Sequence, residues 1–302
     1  MKIFYTSIIL LILSTNVFAK IELYTLDDQT PHPVSEMYTL LNNTIEKYPE
    51  KNILFYVHGR KRNVIDEINK IPKIESAYNV KVIMLHWDSY DTLVSRPTAN
   101  AEKTADSLHD AFEAIRLFRL DNPEFFEKQK INLLCHSMGN LVLKYTVEKY
   151  YKEDTNQDKL FTNYIGVGAD VPMNTHASWL ENFHLAGQNY IMMNNRDIVL
   201  LLSYLLDIKE RQPLTYKLGL GFDNYPTRKQ DIKNKIASNV LYIDLSDVLV
   251  SDHGYYISKD KIMKNIFNKL LNGEYFYDSK KGNEHFKVKQ DKKGRNIFYV
   301  SK

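Results

Sequence analysis

The segment Ile131-Asn132-Leu133-Leu134-Cys135-His136-Ser137-Met138-Gly139-Asn140-Leu141-Val142-Leu143 constrains this chain more than any other. A short apolar run leads to a serine, and an amphipathic helical pattern begins immediately after it. That is strand, sharp turn and helix, the setting in which the serine of a G-x-S-x-G motif stands clear of the backbone. The residue types fit that chemistry. A nucleophilic serine needs a strained turn so that its Oγ is presented at the helix N-terminus. Gly139 lets the helix close against neighbouring strands, and the Met138 backbone N–H points where an oxyanion would form. Cys135 stands in place of the first glycine; it is expected to be a small buried side chain, not a second nucleophile.

The rest of the chain repeats the same alternation. Apolar or β-branched runs at Ile53–Val57, Val80–His86, Ile131–Cys135, Tyr164–Gly168, Tyr190–Met193 and Val240–Asp244 read as buried strands. Helical spacing of apolar residues marks Pro33–Tyr48, Val64–Tyr78, Ala99–Leu120, Asn140–Tyr151, Ile198–Ile208 and Lys259–Leu271, with a break at Pro123. Strand–helix alternation predicts an α/β fold: a mostly parallel, doubly wound sheet with helices on both faces. Ligands in such folds sit at the strand C-termini. Arg211 to Lys235, with Pro213, Gly219, Gly221 and Pro226, interrupts the pattern and reads as a lid or pocket loop, or as a long surface connection. His285 to Val300 reads as a C-terminal hairpin.

The first residues are a separate matter. Lys2, the apolar Ile8–Leu13 and the small-residue site Val17-Phe18-Ala19 have the layout of a secretory signal peptide cleaved after Ala19. Residues 20–302 then form one expected domain, exported to a periplasm or the medium, with no later segment able to span a bilayer. Cys135 is the only cysteine, so no intramolecular disulfide is expected. The formal charge of +3 falls to +2 without Lys2, and the C-terminal lysines read as solvated surface; no nucleic-acid partner is expected. No zinc-ligand spacing, Walker loop or dinucleotide fingerprint occurs, so neither metal nor cofactor is expected.

Upstream of the serine, Phe55-Tyr56-Val57-His58-Gly59-Arg60 is a strand ending in His-Gly. The loop there supplies a second oxyanion donor in folds built on a serine turn, here the Arg60 N–H, with His58 a buried, hydrogen-bonded histidine. The order in such folds is Ser, then Asp or Glu, then His. His253, in a loop after the last core strand, is the best-placed base. Asp197, after the strand ending Met192-Met193, is the favoured acid, and Asp170 in Gly168-Ala169-Asp170-Val171 is the alternative.

Tyr56-Val57-His58-Gly59, Leu85-His86-Trp87-Asp88-Ser89, Cys135-His136-Ser137-Met138-Gly139-Asn140, Ala169-Asp170-Val171, Asn195-Arg196-Asp197 and Asp252-His253-Gly254-Tyr255-Tyr256 together resemble the DUF900 group of bacterial α/β-hydrolases, over roughly residues 50 to 260. The resemblance implies an α/β-hydrolase fold of esterase or lipase type, with Ser137 as nucleophile, Asp197 as acid and His253 as base. The basic turn Arg60-Lys61-Arg62 and Cys135 depart from the group's usual pattern. The expected substrate is a small-molecule or lipid ester. A thioesterase, acyltransferase or peptidase would use the same triad, and an inactive binding protein would use the same scaffold.

Overall fold

A computed structural model of the chain describes residues 21–92, 95–152, 157–209, 216–222, 236–277 and 285–302. The expected signal peptide lies outside these residues, as do 211–215 and 223–235 of the proline- and glycine-containing stretch.

The described chain runs β1 (Glu22–Tyr24), β2 (His32–Pro33), α1 (Met37–Lys47), β3 (Asn52–Val57), α2 (Val64–Ile68), α3 (Ile71–Ala77), β4 (Val80–His86), α4 (Thr98–Asp121), α5 (Pro123–Lys128), β5 (Ile131–His136) and α6 (Gly139–Tyr150). It continues with β6 (Phe161–Val167), α7 (His176–Leu180), β7 (Ala186–Met193), α8 (Ile198–Lys209), β8 (Val240–Asp244), α9 (Lys261–Leu271), β9 (Lys287–Gln290) and β10 (Ile297–Ser301). The strands form one sheet in the order β2-β1-β4-β3-β5-β6-β7-β8-β10-β9. From β4 to β10 in that order every pairing is parallel; β1, β2 and β9 join antiparallel at the edges. This is the mostly parallel, doubly wound α/β-hydrolase sheet.

The central strands are mostly apolar because both faces are covered. Phe55 and Val57 of β3 pack on one side with Phe112 of α4, Val142 of α6 and Trp179 of α7. Leu54 and Tyr56 pack on the other with Ile74 of α3 and Phe267 of α9. Helix α9 shows how its sequence specifies a helix. Asp260 caps it, accepting from the Ile262 and Met263 N–H groups, and Ile262, Met263, Ile266, Phe267, Leu270 and Leu271 form one buried stripe.

Several boundaries differ from the sequence reading. Residues 64–78 are two helices, because Pro72 cannot donate to a continuous helical ladder and starts a new one instead. Strand β6 ends at Val167, since Gly168 takes φ +52°, outside the strand region. Strand β7 begins four residues earlier than its apolar run, at Ala186. The tail strands pair antiparallel, and β10 also pairs parallel with β8, so they extend the main sheet. Tyr216–Phe222 is buried against the C-terminal edge of the sheet: a Cβ on Gly219 would lie 2.6 Å from the Ala169 nitrogen. That part of the 211–235 stretch is therefore packed core and not an exposed connection.

The topology chooses the functional edge. From β3 the chain moves outward to β4, and β5 then enters on the other side of β3. Winding reverses between these two strands, leaving a crevice at their C-termini. His58-Gly59-Arg60 follows β3 there, and Ser137 follows β5.

Candidate active site

Ser137 has φ +53°, a left-handed conformation that costs a non-glycine residue roughly 1–3 kcal/mol. Hydrogen bonds hold it there. Its N–H donates to Val167 O at 2.9 Å, and its carbonyl accepts from Asn140 N at 3.1 Å, Asp170 N at 3.2 Å and Asn140 Nδ2 at 3.0 Å. Asn140 also donates to Cys135 O and accepts from Tyr164 Oη at 2.6 Å, so one buried amide ties both ends of the turn to β6. Two glycines press the turn against the end of β3. A Cβ on Gly139 would meet Val57 O at 2.4 Å, and one on Gly59 would meet Ser137 Cβ at 2.6 Å. Only hydrogen fits at either position, which brings the Arg60 and Met138 backbones to the same side of the crevice. Among the described residues neither of these N–H groups donates to a protein acceptor.

His253 is joined to Asp197 through Nδ1···Oδ2 at 2.6 Å. With Nδ1 carrying the proton toward the carboxylate, Nε2 is left as the ring's acceptor. Asp197 is wholly buried, and its other oxygen accepts from Val199 and Leu200 N–H at 3.0 and 3.1 Å, capping α8. Gly168 makes room for the pair: a Cβ there would lie 3.0 Å from His253 Cε1 and Nδ1 and 3.5 Å from Asp197 Oδ2. The loop carrying His253 is pinned at both ends. Asn194 Nδ2 donates to Val250 O and Asp252 O, while Tyr255 Oη donates to Met192 O and accepts from Gly168 N. His136, next to the serine, reaches the His253 carbonyl through Nε2 at 3.1 Å. Burial first, then the neighbouring His253 and Lys70 charges, hold His136 well below the ordinary histidine range. It is therefore neutral, and its buried Nδ1 has no partner among the described residues.

The other sequence candidates fall into different roles. His58 is fully buried, bonded to Gly59 O at 2.7 Å and to His86 Nδ1 at 3.0 Å, and its own carbonyl accepts from Trp87 Nε1. It shapes the turn after β3. Burial pushes the Cys135 thiol well above its usual range, in keeping with a packing role. Asp170 does not meet His253. It pairs with Arg96 Nη2 at 2.8 Å and accepts from Ser203 Oγ at 2.8 Å, and Asp207 bridges Arg96 and Lys217 beside it. Burial would raise the Asp170 carboxyl, but Arg96, Lys217 and Ser203 override it and hold it below the usual carboxylate range. This buried cluster was not visible in the sequence, because its members lie on four separate segments.

Ser137, His136, Met138, Arg60 and His253 line one cavity of about 710 Å³ at the crevice. A serine on a strained turn, an imidazole–carboxylate pair and free backbone donors are the parts required for nucleophilic acyl transfer.

A family described as "Alpha/beta hydrolase of unknown function (DUF900)" matches residues 34–270. No curated protein matches the sequence. Similar solved structures include a putative hydrolase from Agrobacterium vitis, 11% identical over 74% of this chain and 87% of that one, with a TM-score of 0.35. A phospholipase/carboxylesterase from Dyadobacter fermentans is 14% identical over 84% and 97%, with a TM-score of 0.34. A thermophilic esterase from Thermogutta terrifontis is 13% identical over 80% and 82%, also with a TM-score of 0.34.

Proposed function

The chain belongs to the DUF900 family of α/β hydrolases, and from that premise we propose that it is a serine hydrolase cleaving carboxylic esters through Ser137, His253 and Asp197. The observation that carries this reading is the 2.6 Å bond from His253 Nδ1 to buried Asp197, with His253 and Ser137 on the wall of the same cavity. His253 Nε2 takes the Ser137 hydroxyl proton as Oγ attacks the ester carbonyl. Asp197 fixes the tautomer and stabilises the imidazolium. The Met138 and Arg60 N–H groups receive the oxyanion. The ester C–O bond then breaks, the alcohol leaves with the proton from His253, and an acyl group remains on Ser137. Water, deprotonated by His253, attacks that acyl group and releases the acid.

Labelling of the mature protein by a fluorophosphonate tests this directly. The wild type is expected to label, and Ser137→Ala and His253→Ala are expected not to. A folded wild type that resists probes of several sizes would instead favour a binding protein on this scaffold. Matched ester and thioester substrates separate the esterase from a thioesterase. The layout of residues 1–19 supports export with cleavage after Ala19; a mature N-terminus elsewhere than Lys20 would count against it.

A further inference from the structure

The two walls of the cavity are unlike. One is the face of α8 carrying Val199, Leu202, Leu205 and Leu206. Val199, Leu202 and Leu205 keep 44%, 56% and 53% of their surface exposed. Positions 199, 202 and 206 fall on one helical stripe, about 10 Å long at 1.5 Å per residue. Scattered apolar residues are ordinary on a surface, but a continuous stripe beside a serine and a histidine in a crevice marks a binding wall.

The other wall is cationic: Arg60, Lys61, Arg62 and Lys70 face it with Asp66 and Glu67. Two of the cations are matched, Lys61 by Asp66 at 3.3 Å and Lys70 by Glu67 at 2.7 Å. Arg60 and Arg62 instead flank the Tyr90 ring, at 5.6 and 6.0 Å from its centroid, and Arg60 Nη2 meets only the neutral Thr92 carbonyl. Among the described residues no carboxylate pairs with either. Among those residues the Arg60 Nε–H is moreover buried without a partner, an unmet donor on a wall of the site. A guanidinium beside an aromatic ring, with no described carboxylate on it, keeps its donor fork for a phosphate or carboxylate.

We propose that the substrate is an anionic amphiphile: an ester joining an apolar chain, laid along α8, to a group bearing a phosphate or comparable anion, held by Arg60 and Arg62. This rests on the serine-hydrolase reading for the cleavage step, but not for the binding. The test compares glycerol octanoate with its glycerol-phosphate counterpart, and each with the butanoyl homologue. The phosphate ester is expected to have a kcat/KM at least about tenfold higher, the worth of a single charge-assisted hydrogen bond at the low end of its range. The preference should shrink as salt is raised and collapse in Arg62→Glu, whose exposed position spares the core. Each added methylene should raise kcat/KM by up to about fourfold, a gain cut in Leu202→Asn. Equal turnover of both headgroups, or a preference untouched by Arg62→Glu, overturns the proposal.

Binding keeps the two readings apart. Calorimetry on Ser137→Ala should show octyl phosphate bound more tightly than octyl glucoside. If it is not, the proposal fails even where esters are cleaved. If it is, while no ester is cleaved and no fluorophosphonate reacts, only the hydrolase reading fails. Turnover of the dispersed phosphate ester assigns a soluble substrate, turnover only of the same headgroup in vesicles assigns a membrane lipid, and turnover of neither with labelling intact overturns the assignment.

Discussion

Gly168 shows how much of the site depends on what a single residue lacks. Its φ of +52° strains any residue with a side chain, and an added methyl would lie 3.0 Å from the His253 ring, close enough to push it by a few tenths of an ångström. Gly168→Ala is therefore expected to shift the imidazole and lower kcat by up to about 100-fold, the cost of a full 1 Å misplacement, with a stability loss of about 1 kcal/mol or more from the strained backbone. Measuring kcat beside the urea midpoint checks it, and an unchanged kcat would mean that the ring tolerates displacement. Asp197 separates two roles in one side chain. Asparagine caps a helix as well as aspartate does, so Asp197→Asn should leave the thermal midpoint nearly unmoved. It cannot fix the histidine tautomer, and kcat should fall about ten-thousandfold. A parallel loss of both would mean that the carboxylate itself, through its bond to His253, holds the local fold, and that its role is chiefly structural. Ser137, Asp197 and His253 were legible because the motif and the chain order name them. Gly168, Asn140 and His136 were not, since each acts by fitting against a segment remote in sequence.

At the scale of elements, the buried strands were the most legible features, because continuous apolar runs of five or six residues have few other uses. The short edge strands β1 and β2 carry no such run and were missed; they exist because Glu22–Tyr24 finds a partner in β4. Helix α8 was foreseen as a helix but not as a wall, since periodicity does not say which face a cavity takes. The buried charge cluster binds these elements together. Arg96, just before α4, clamps Asp170 after β6 and Asp207 on α8, while Lys217 reaches the same aspartates from the following segment. Asp170 was a reasonable alternative acid from its place after a strand, and only the fold shows it committed to this cluster. Arg96→Met leaves two buried carboxylates facing one ammonium. It is expected to cost about 3–5 kcal/mol, read as a lowered urea midpoint. A near-neutral result would mean that the cluster is repacked or protonated with little penalty.

For the whole molecule, the buried histidines decide how stability responds to acid. His58, His86, His136 and His176 all sit below the ordinary histidine range, each chiefly through burial, with His86 and His176 lowered to about 4. The sign follows from proton counting. Between about pH 6.5 and 4 the unfolded chain binds protons on His86 and His176 and the folded chain does not, and His58 and His136 act in the same direction, so stability rises with pH and is lost on acidification. Each such histidine contributes a slope of about 1.4 kcal/mol per pH unit inside its window. Asp170, held below the usual carboxylate range, adds stability that persists above the unfolded value and disappears only as pH falls through its folded one. The protein should therefore be most stable near neutrality and weaken steeply below about pH 6, before its carboxylates titrate. Urea midpoints taken from pH 7.5 down to 4.5 measure that slope. His176 isolates one contributor, because it lies apart from the proposed catalytic groups, bonded to Met173 O and Tyr242 Oη. His176→Phe removes one proton from the unfolded side of the balance, so its profile should be shallower by about 1.4 kcal/mol per pH unit whatever its stability at neutrality. A slope equal to that of the wild type would show that His176 is protonated inside the folded core, and that its hydrogen bonds outweigh the burial that now keeps it neutral.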